Sequence, residues 1–315
     1  MLPEIRFGFS MWAQATTWPE ILETARLCDD LGFDHVWVYD HLLGIVGDPQ
    51  MPNFEGWTLL AALGASTSRT RLGLLVGSNT YRNPGLVAKM ATTIDHISGG
   101  RAILGIGSGW AEREHRAYGF PFGSGFGERL GWLDEATGVM RRLLDGETVT
   151  HVSDTYAFEG LALSPLPIQD RMPIMIGGAG EKKTLRIVAR YADMWNLYAV
   201  PDELARKDGI LVGYCEEIGR DPTAIERTLT PKIIIRDSVE EAGRVWERQK
   251  ANIGAPADWK GTIWLGTPEE IAERLAPYLE IGVRTVIVET PAPYDLETAS
   301  RLISEVKPLL TSRNG

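Results

Sequence analysis

Short apolar runs alternate with amphipathic helical patterns along the whole 315-residue chain, and this alternation constrains the fold more than any other feature. Eight runs are typical of buried strands, and helical patterns lie between them. The predicted strands cover residues 5–9, 35–39, 71–77, 102–107, 173–177, 193–198, 230–236 and 284–289. Strands that alternate with helices form parallel sheets, because each connecting helix packs on a face of the sheet.

Eight such units in a chain of this length favour a (β/α)8 TIM barrel with loop insertions, formed as one domain by residues 1–315. A doubly wound open sheet is the alternative. Its dinucleotide-binding form carries GxGxxG after the first strand, whereas this chain reads MWAQATTW there. Two segments interrupt the alternation: residues 107–130 are rich in glycine and aromatic residues, and residues 147–172 are predicted to form a small β insertion.

The composition restricts the partners of this chain. It has 32 Lys and Arg against 42 Asp and Glu, which gives a net charge of −10 at pH 7. Nucleic acid and anionic membrane surfaces bind basic faces, so we expect neither as a partner. The N-terminus, MLPEIRFGFSMW, lacks the pattern of a signal peptide, and no window approaches the ~18 apolar residues of a membrane span. We expect a cytoplasmic protein that binds a small-molecule substrate.

Metal chemistry is not expected from the cysteines or the histidines. Cys28 and Cys215 belong to no CxxC pair, which disfavours both a zinc site and a disulfide framework. His115 follows two glutamates, but no second His or Cys stands at helical ligand spacing from it.

In a barrel, binding and catalytic residues gather where the strands end at the C-terminal face. Asp40 and His41 follow the second predicted strand, and a histidine at this place can transfer a proton near neutral pH. A loop histidine that caps a backbone carbonyl is the alternative. The third and fourth strands end in VGSNT and GIGSGW, where small side chains let a ligand approach the backbone and Trp110 could form a wall. Plain loops are the alternative at both ends.

The stretch MIGGAGEKKT, residues 175–184, joins the fifth predicted strand to a helix. It fits neither the P-loop, which requires Gly where Lys182 stands, nor GxGxxG, which requires Gly where Lys183 stands. The free N–H groups and the dipole of a helix N-terminus favour an anion at such a turn. A turn that uses glycine only for its conformation explains the motif equally well.

Five segments, in the same order along the chain, carry a family resemblance: FGFSMW, GFDHVWVYDHL, WTLLAALGASTSRTRLGLLV, RNPGLVAKMATTIDHISGGRAILGIGSGW and MPIMIGGAGEKKTLRIVARYADMWN. On these segments the chain resembles the bacterial luciferase-like family of flavin and deazaflavin oxidoreductases over almost its full length. The DHL after the second strand and the segment GGAGEKKTLRIVARYADMWN are similar to the branch that uses coenzyme F420. FMN is the alternative cofactor.

The resemblance implies a barrel, usually a homodimer, that holds an isoalloxazine-like ring in its mouth. It implies that His41 donates a proton or positions the substrate, and that a bulge after the third strand, often with a non-prolyl cis peptide, supports the ring. The implied cofactor-binding residues are Asp40, Leu75, Val76, Gly77, Ser78, Ser108, Gly109, Gly177, Gly178, Ala179 and Gly180. The last four would hold the cofactor phosphate, with a helix from Glu181 directing its positive end at the anion. We expect the side chain of Glu181 itself to point away.

One departure from the family bears on the substrate. The sugar-phosphate dehydrogenases of the family carry a glutamate after the glycine of strand 4, as an acid/base partner of the histidine, and this chain has Trp110 there. They also carry a tryptophan soon after the Asp–His pair, where this chain reads LLGIVG. Glucose-6-phosphate is therefore disfavoured, and Trp12 and Trp110, with Phe120 or Phe122, suggest an apolar or aromatic pocket.

The resemblance thus implies a coenzyme F420-dependent oxidoreductase that transfers a hydride between the deazaflavin and a small organic substrate. An FMN-dependent monooxygenase of the same fold and a non-catalytic flavin-binding barrel remain open as alternatives. The sequence does not identify the substrate, which the loops at residues 43–55, 110–127 and 252–265 would select.

Overall fold

The computed structural model describes residues 5–256 and 263–312, so part of the predicted substrate loop at 252–265 lies outside the described residues. The prediction of one domain over residues 1–315 also extends beyond them and stays a prediction. The strands are β1 (Arg6–Met11), β2 (His35–Val38), β3 (Arg71–Leu74), β4 (Gly77–Ser78), β5 (Ala102–Gly107), β6 (Val149–Val152), β7 (Ala157–Leu161), β8 (Ile174–Gly177), β9 (Met194–Leu197), β10 (Glu226–Leu229), β11 (Lys232–Ile235), β12 (Ile263–Gly266) and β13 (Val283–Thr290).

Eight of these strands form a closed parallel barrel, which confirms the predicted (β/α)8 fold. Their order around the barrel is β3–β2–β1–β13–β10–β9–β8–β5. The barrel closes where β5 pairs back with β3, with Leu72 opposite Ala102 and Gly73 opposite Ile103. Because every barrel pairing is parallel, the carboxyl ends of all eight strands meet at one mouth.

Helices cover the outside of the barrel: α1 (Trp18–Leu31), α2 (Gly56–Ser66), α3 (Pro84–Ser98), α4 (Glu112–Tyr118), α5 (Phe126–Leu144), α6 (Thr184–Tyr191), α7 (Pro201–Glu217), α8 (Val239–Asn252), α9 (Pro268–Ile281), α10 (Leu296–Arg301) and α11 (Lys307–Ser312). Their ends follow local sequence rules. The helix α3 begins after Asn83, whose side chain accepts the N–H of Gly85, and ends at Gly99 in the left-handed conformation. No helix of the described residues is long and apolar enough to span a membrane.

The seventh barrel strand differs from the prediction at residues 230–236. The barrel strand is β10, at Glu226–Leu229, and β11 pairs with β12 in a separate two-stranded parallel sheet. Pro231 separates the two strands and has no N–H for a sheet ladder. The prediction chose the run KIII because it is more apolar than the barrel strand ERTL. The polar residue Glu226 of that barrel strand lies in a polar layer, where it bonds to Arg6 and Thr285.

The barrel axis is filled at mid-height by a separate cluster of buried side chains, namely Trp37, Ile103, Met175, Met194 and Ile287. Trp37 is the largest of them, and Gly73 on the neighbouring strand leaves room for its ring. A Cβ at Gly73 would lie 2.3 Å from that ring. The cluster separates the C-terminal mouth from the N-terminal mouth, so the cavity above it has a closed floor.

Both predicted insertions are present. Residues 107–130 form a loop above β5, the short helix α4 and the start of α5. The second insertion is the antiparallel hairpin β6–β7, which precedes β8. Asn79, at the C-terminal mouth, donates a 3.1 Å hydrogen bond from Nδ2 to the hydroxyl of Tyr156, so the hairpin reaches the rim of the barrel.

Candidate functional site

A cavity of about 440 Å³ opens at the C-terminal mouth of the barrel, a size that small-molecule sites commonly have. It brings together most of the residues that the sequence predicted: Asp40, His41, Leu75, Val76, Gly77, Ser78, Ser108, Gly109, Trp110, Gly177, Gly178 and Ala179. Gly180 and Trp12 do not line it. A wider groove of about 970 Å³ along α8 is an open surface whose charged side chains, such as Arg236 and Glu297, pair with one another.

Asp40 is buried at the end of β2 and has one carboxylate oxygen without a partner. Its Oδ2 accepts hydrogen bonds from the backbone N–H of Ser78 at 2.9 Å and from Arg82 at 2.8 Å. Its Oδ1 is buried and has no hydrogen-bond partner among the described residues. Burial raises the pKa of Asp40, while Arg82 acts in the opposite direction. An unpaired buried acceptor beside a cavity indicates a contact that a ligand supplies.

His41 is fixed by a carboxylate that the sequence analysis did not assign to it. Its Nδ1 lies 2.8 Å from Oε2 of Glu114, and because a carboxylate only accepts, Nδ1 carries the proton. Its Nε2 has no hydrogen-bond partner in the described part of the chain. The imidazole edge also contacts the rings of Tyr39 and Trp110, at centroid distances of 5.1 and 5.2 Å. The ring is therefore oriented with one nitrogen available to a ligand.

Glu114 is held by the chain on several sides. Its Oε1 accepts the backbone N–H groups of Leu42 and Leu43 at 2.6 and 2.9 Å, and its Oε2 accepts the hydroxyl of Tyr81 at 2.5 Å. Burial alone would raise the pKa of this carboxyl, but the hydrogen bonds from His41, Tyr81 and Leu43 outweigh it and lower the pKa to about 2. The carboxylate is thus ionised at neutral pH and orients His41.

The position of Glu114 explains the departure at Trp110. The carboxylate partner of His41 comes from α4, four residues after Trp110, and not from the residue that directly follows Gly109. The signal in the sequence was an acidic residue in the first turn of a helix that starts beside the site. In the sequence Glu114 is only a neighbour of His115, and spacing along a helix does not show which strand end a side chain faces.

The chain bulges after β3, and Val76 at the bulge packs against glycines of two neighbouring strands. The peptide bond between Leu75 and Val76 is cis, as the resemblance implied for this segment. A Cβ on Gly107 would lie 2.8 Å from Val76, and a Cβ on Gly177 would lie 2.9 Å from it. These glycines are therefore required by close packing, and they leave a smooth wall of backbone and one aliphatic side chain against which a flat ring can lie.

A second histidine supports the end of β5. His115 donates from Nδ1 to the carbonyl of Ala111 at 2.8 Å, and its Nε2 lies 2.6 Å from the hydroxyl of Thr80. Thr80 in turn lies 2.9 Å from the hydroxyl of Ser78. Gly109 has φ of +74°, and a Cβ there would lie 2.7 Å from the Ser78 hydroxyl. His115 is thus a structural residue that fixes Ser78 at the cavity wall.

The glycine-rich turn after β8 presents unpaired N–H groups. The carbonyl of Gly178 accepts from the indole of Trp195 at 2.8 Å, and the carbonyl of Ala179 accepts from Lys207 at 2.8 Å. In a trans peptide the N–H points opposite to the C=O, so the N–H groups of Ala179 and Gly180 point away from these two partners. Neither N–H has a partner among the described residues, so both are donors that an anion can use.

The helix after this turn starts later than predicted, and Glu181 is neutralised. Residues 181–183 form a turn, and α6 begins at Thr184. Glu181 does not line the cavity. Its carboxylate accepts from Arg206 at 2.7 Å and from Lys207 at 3.3 Å, and these bonds lower its pKa to about 2. The side chain is directed to α7, as expected, and its charge is balanced there.

The two tryptophans predicted for the substrate pocket occupy different places. Trp110 lines the cavity and is 63% exposed. Trp12 is buried, and its indole donates from Nε1 to Oε1 of Glu289 at 2.6 Å. Glu289 itself lines the cavity at the end of β13. Glu289 is the last residue of the predicted strand 284–289 and was not among the predicted site residues, so it is a second carboxylate that the tertiary structure brings to the site.

Taken as chemistry, the site combines three elements at one mouth. They are a smooth wall for a flat ring, free N–H groups for a phosphate, and an oriented histidine whose Nε2 can exchange a proton. No group of three metal-ligating side chains occurs among the residues that the structure describes. The arrangement suits a cofactor that reacts at a ring carbon while the protein handles the proton.

The family model for luciferase-like monooxygenases matches residues 5–253. The chain is 28% identical to a phthiodiolone/phenolphthiodiolone dimycocerosates ketoreductase of Mycobacterium tuberculosis, over 82% of this chain and 84% of that protein. It is 28% identical to an F420-dependent glucose-6-phosphate dehydrogenase of Microbacterium testaceum, over 98% of each chain.

A solved structure with the same fold is the coenzyme F420-dependent tetrahydromethanopterin reductase from Methanopyrus kandleri. The two structures superpose with a TM-score of 0.81 at 20% identity, over 98% of this chain and 100% of the other. At this identity the likeness establishes the fold alone.

Proposed function

The chain belongs to the luciferase-like monooxygenase family, and from this premise we propose that it is a coenzyme F420-dependent oxidoreductase. It would transfer a hydride between the deazaflavin and a carbonyl or alcohol carbon of a small organic substrate. The observation that carries the proposal is the oriented His41–Glu114 pair at the wall of a cavity built for a flat ring and a phosphate. The names of two curated relatives, a ketoreductase and an F420-dependent dehydrogenase, support the reaction class.

The residues of the mouth fit this cofactor. The unpaired Oδ1 of Asp40 can accept an N–H or O–H of the ring or its tail. The wall at Val76, Gly107 and Gly177 leaves a surface for the ring, and the N–H groups of Ala179 and Gly180 can hold the phosphate. When bound, the deazaflavin supplies a ring carbon that accepts or donates a hydride.

The protein contributes proton transfer and orientation. When a carbonyl is reduced, the substrate oxygen gains a proton, and Nε2 of His41 is the group placed to donate it. Glu114 stabilises the protonated imidazole through Nδ1 and keeps the ring aimed at the cavity. In the oxidation of an alcohol, the same nitrogen accepts the proton. Trp110 and Phe126 line the open side of the cavity and would limit the access of water to a bound substrate.

The second candidate is an FMN-dependent monooxygenase, favoured by the matching family model, which describes luciferase-like monooxygenases. Both candidates use the same ring wall and phosphate turn. They differ in whether the reduced cofactor reacts with oxygen, which a deazaflavin does poorly. A non-catalytic flavin-binding barrel is the third reading, and it would bind cofactor without turnover.

Titration of the purified protein with oxidised coenzyme F420 and, separately, with FMN tests the proposal, with cofactor fluorescence as the readout. We expect saturable binding of F420 that Gly177→Ala weakens, because the added methyl group would strike Val76. Gly131→Ala is the matched control, since a Cβ there meets no atom within 4 Å. Tight binding of FMN with no binding of F420 would contradict the proposal and favour the monooxygenase.

We further propose that the protein acts as a homodimer. Large apolar side chains are exposed on α3, where Leu86 is 52% and Ile97 is 44% exposed, and a second copy could cover them. Size-exclusion chromatography with light scattering tests this, and a monomer at micromolar concentration would contradict it. The location in the cytoplasm stays a prediction from the sequence.

A further inference from the structure

The wall of the cavity at the last barrel strand carries a carboxylate that the proton transfer does not use. Glu289, on β13, lines the cavity, and its side chain is 24% exposed. Its backbone N–H donates to the carbonyl of Pro231 at 3.0 Å, which fixes the main chain at this point. A carboxylate fixed at the wall of a small-molecule cavity is a candidate for substrate recognition.

A buried tryptophan and a half-buried lysine hold the Glu289 carboxylate from behind. The indole N–H of Trp12 donates to Oε1 at 2.6 Å, and the ammonium group of Lys232 donates to Oε2 at 2.8 Å. Lys232 also lies 5.3 Å from the centre of the Trp12 ring, and its side chain is only 16% exposed. Neither partner lines the cavity. Each carboxylate oxygen retains a further lone pair for a ligand. Because Glu289 lines the cavity and Lys232 does not, a ligand would meet the carboxylate and not the ammonium group.

The charges of the residues around the cavity determine which substrate groups Glu289 can bind. Among the described residues that line the cavity there is no Lys or Arg, and the acidic ones are Asp40 and Glu289. A carboxylate or phosphate of the substrate at Glu289 would find no cation among the lining residues to pair with, because Lys232 lies behind the carboxylate. A hydroxyl or ammonium group would find a charged acceptor there. The wall therefore favours donors and disfavours anions.

The distance between the strands places Glu289 within reach of a substrate bound at His41. The strands β2 and β13 are both neighbours of β1, so their ends lie about two interstrand spacings, ~10 Å, apart. The rings of Trp12 and Tyr39 pack edge to face outside the cavity lining, with centroids 6.0 Å apart. A substrate whose reacting carbon lies at His41 can thus reach Glu289 with a substituent several bonds away.

We propose that Glu289 accepts a hydrogen bond from a hydroxyl or ammonium group of the substrate. It would thereby select ketones or alcohols that carry such a donor and reject carboxylated or phosphorylated ones. The carbonyl chemistry in this inference rests on the proposed function, and the inference adds the substrate class. The apolar walls of the cavity, such as Trp110 and Phe126, would accommodate the rest of a small ring or chain.

Three ketones of similar size test the proposal: 4-hydroxycyclohexanone, its near-isostere 4-methylcyclohexanone, and 4-oxocyclohexane-1-carboxylate. Their reduction by the protein loaded with reduced F420 gives kcat/KM, and saturation-transfer NMR gives their binding to the cofactor-free protein. We expect the hydroxyl ketone to exceed the methyl ketone about tenfold or more, with the carboxylate last. We expect Glu289→Gln to reduce the disadvantage of the carboxylate and Glu289→Leu to abolish the preference for the hydroxyl.

Two further variants separate recognition from folding. Glu247→Gln is the matched control, since Glu247 is exposed on α8, where it pairs with Lys250, and it should leave the ranking unchanged. Lys232→Met removes the ammonium group behind Glu289, so the carboxylate loses one of its two anchors and the preference for the hydroxyl ketone should fall, while reduction of 4-methylcyclohexanone stays unchanged. A general loss of folding would lower the reduction of both ketones equally.

The outcomes distinguish this inference from the proposed function. If F420 does not bind, the proposed function fails, and the binding ranking on the cofactor-free protein still tests Glu289. Equal kcat/KM and equal binding of the three ketones in the wild type would overturn the inference. An unchanged ranking in Glu289→Leu, with the melting temperature preserved, would overturn it as well.

Discussion

The two mouths of the barrel each carry a histidine and a carboxylate, but the surroundings of these groups differ. At the C-terminal mouth, His41 bonds to Glu114 and lines an open cavity. At the N-terminal mouth, Glu226 pairs with Arg6 and bonds to Thr285, while His35 is 3% exposed and its Nδ1 has no partner within the described residues.

The two histidines also differ in their electrostatic surroundings, because His35 is buried beside cations and His41 lies beside a carboxylate. Burial lowers the pKa of His35 to about 3, and the nearby charges of Arg71 and Arg6 act in the same direction. The ring lies against Trp37 at 5.8 Å, on the cluster that fills the barrel axis. His35 is therefore a neutral packing residue, whereas His41 is hydrogen-bonded to the carboxylate of Glu114 and lines the cavity. The partner of a histidine and its access to a cavity decide whether it can transfer protons.

Replacement of His41 should give the largest contrast between the two mouths. His41→Asn retains a donor near the position of Nδ1 for Glu114 but removes Nε2, so we expect kcat to fall about 100-fold or more. His35→Leu should leave kcat within about threefold, because it lies on the other side of the Trp37 cluster. Steady-state turnover with F420 measures both. A fall of only a few-fold for His41→Asn would rule out its role in proton transfer.

The next effect concerns the ring wall, which has no equivalent at the N-terminal mouth. Gly107→Ala places a methyl group 2.8 Å from Val76. The bulge must shift, and we expect the affinity for F420 to fall about tenfold or more while the barrel stays folded. Fluorescence titration measures the affinity and circular dichroism checks the fold. Unchanged affinity would indicate that the ring binds elsewhere.

Removal of the carboxylate behind His41 should have a smaller effect on turnover. Glu114→Gln keeps the shape of the side chain but not its charge, and we expect kcat to fall about tenfold, with partial recovery in Glu114→Asp.

The pKa of Glu114 is lowered from 4.5 to about 2 in the folded protein, so its contribution to stability is complete above pH 4.5 and is lost as the pH falls through 2.

Thermal unfolding of Glu114→Gln and of the wild type at several pH values checks that the stabilisation by Glu114 is lost at low pH. The deficit of the variant relative to the wild type should be constant from pH 7 to 5 and should shrink below 4.5. A deficit that grows on acidification would show that Glu114 is not the ionised partner of His41.

The smallest effect on turnover belongs to the N-terminal mouth, where we expect a change of stability instead. The unfolded chain binds a proton at His35 near pH 6.5, but the folded protein does so only near 3. The wild type therefore loses stability as the pH falls from 6.5 to 3. His35→Leu lacks this loss, so from pH 8 to pH 5 the variant should gain about 2 kcal/mol relative to the wild type. Urea unfolding at the two pH values measures the difference, and an equal difference at both would contradict the buried neutral state.

Local sequence patterns were sufficient for much of this description. The alternation of apolar runs and amphipathic helices predicted the barrel, because strands and helices each have a periodicity that is visible among residues close in sequence. It also located Asp40, His41 and the turn after β8, since each follows a recognisable strand end, whereas the bulge after β3 was implied only by the family resemblance. The sequence misplaced the seventh strand because the polar residues of β10 face an ionic layer that pairs distant strands.

The tertiary structure alone decided which charges meet. Glu114 is 73 residues from His41 and Glu289 is 277 residues from Trp12, and no local pattern records such pairs. The order of the strands around the barrel brings β13 next to β1, and the helix after β5 turns its acidic face to the end of β2. The sequence thus determined the fold and the place of the site, and the closure of the barrel determined which carboxylates act there, because electrostatic partners depend on distance in space.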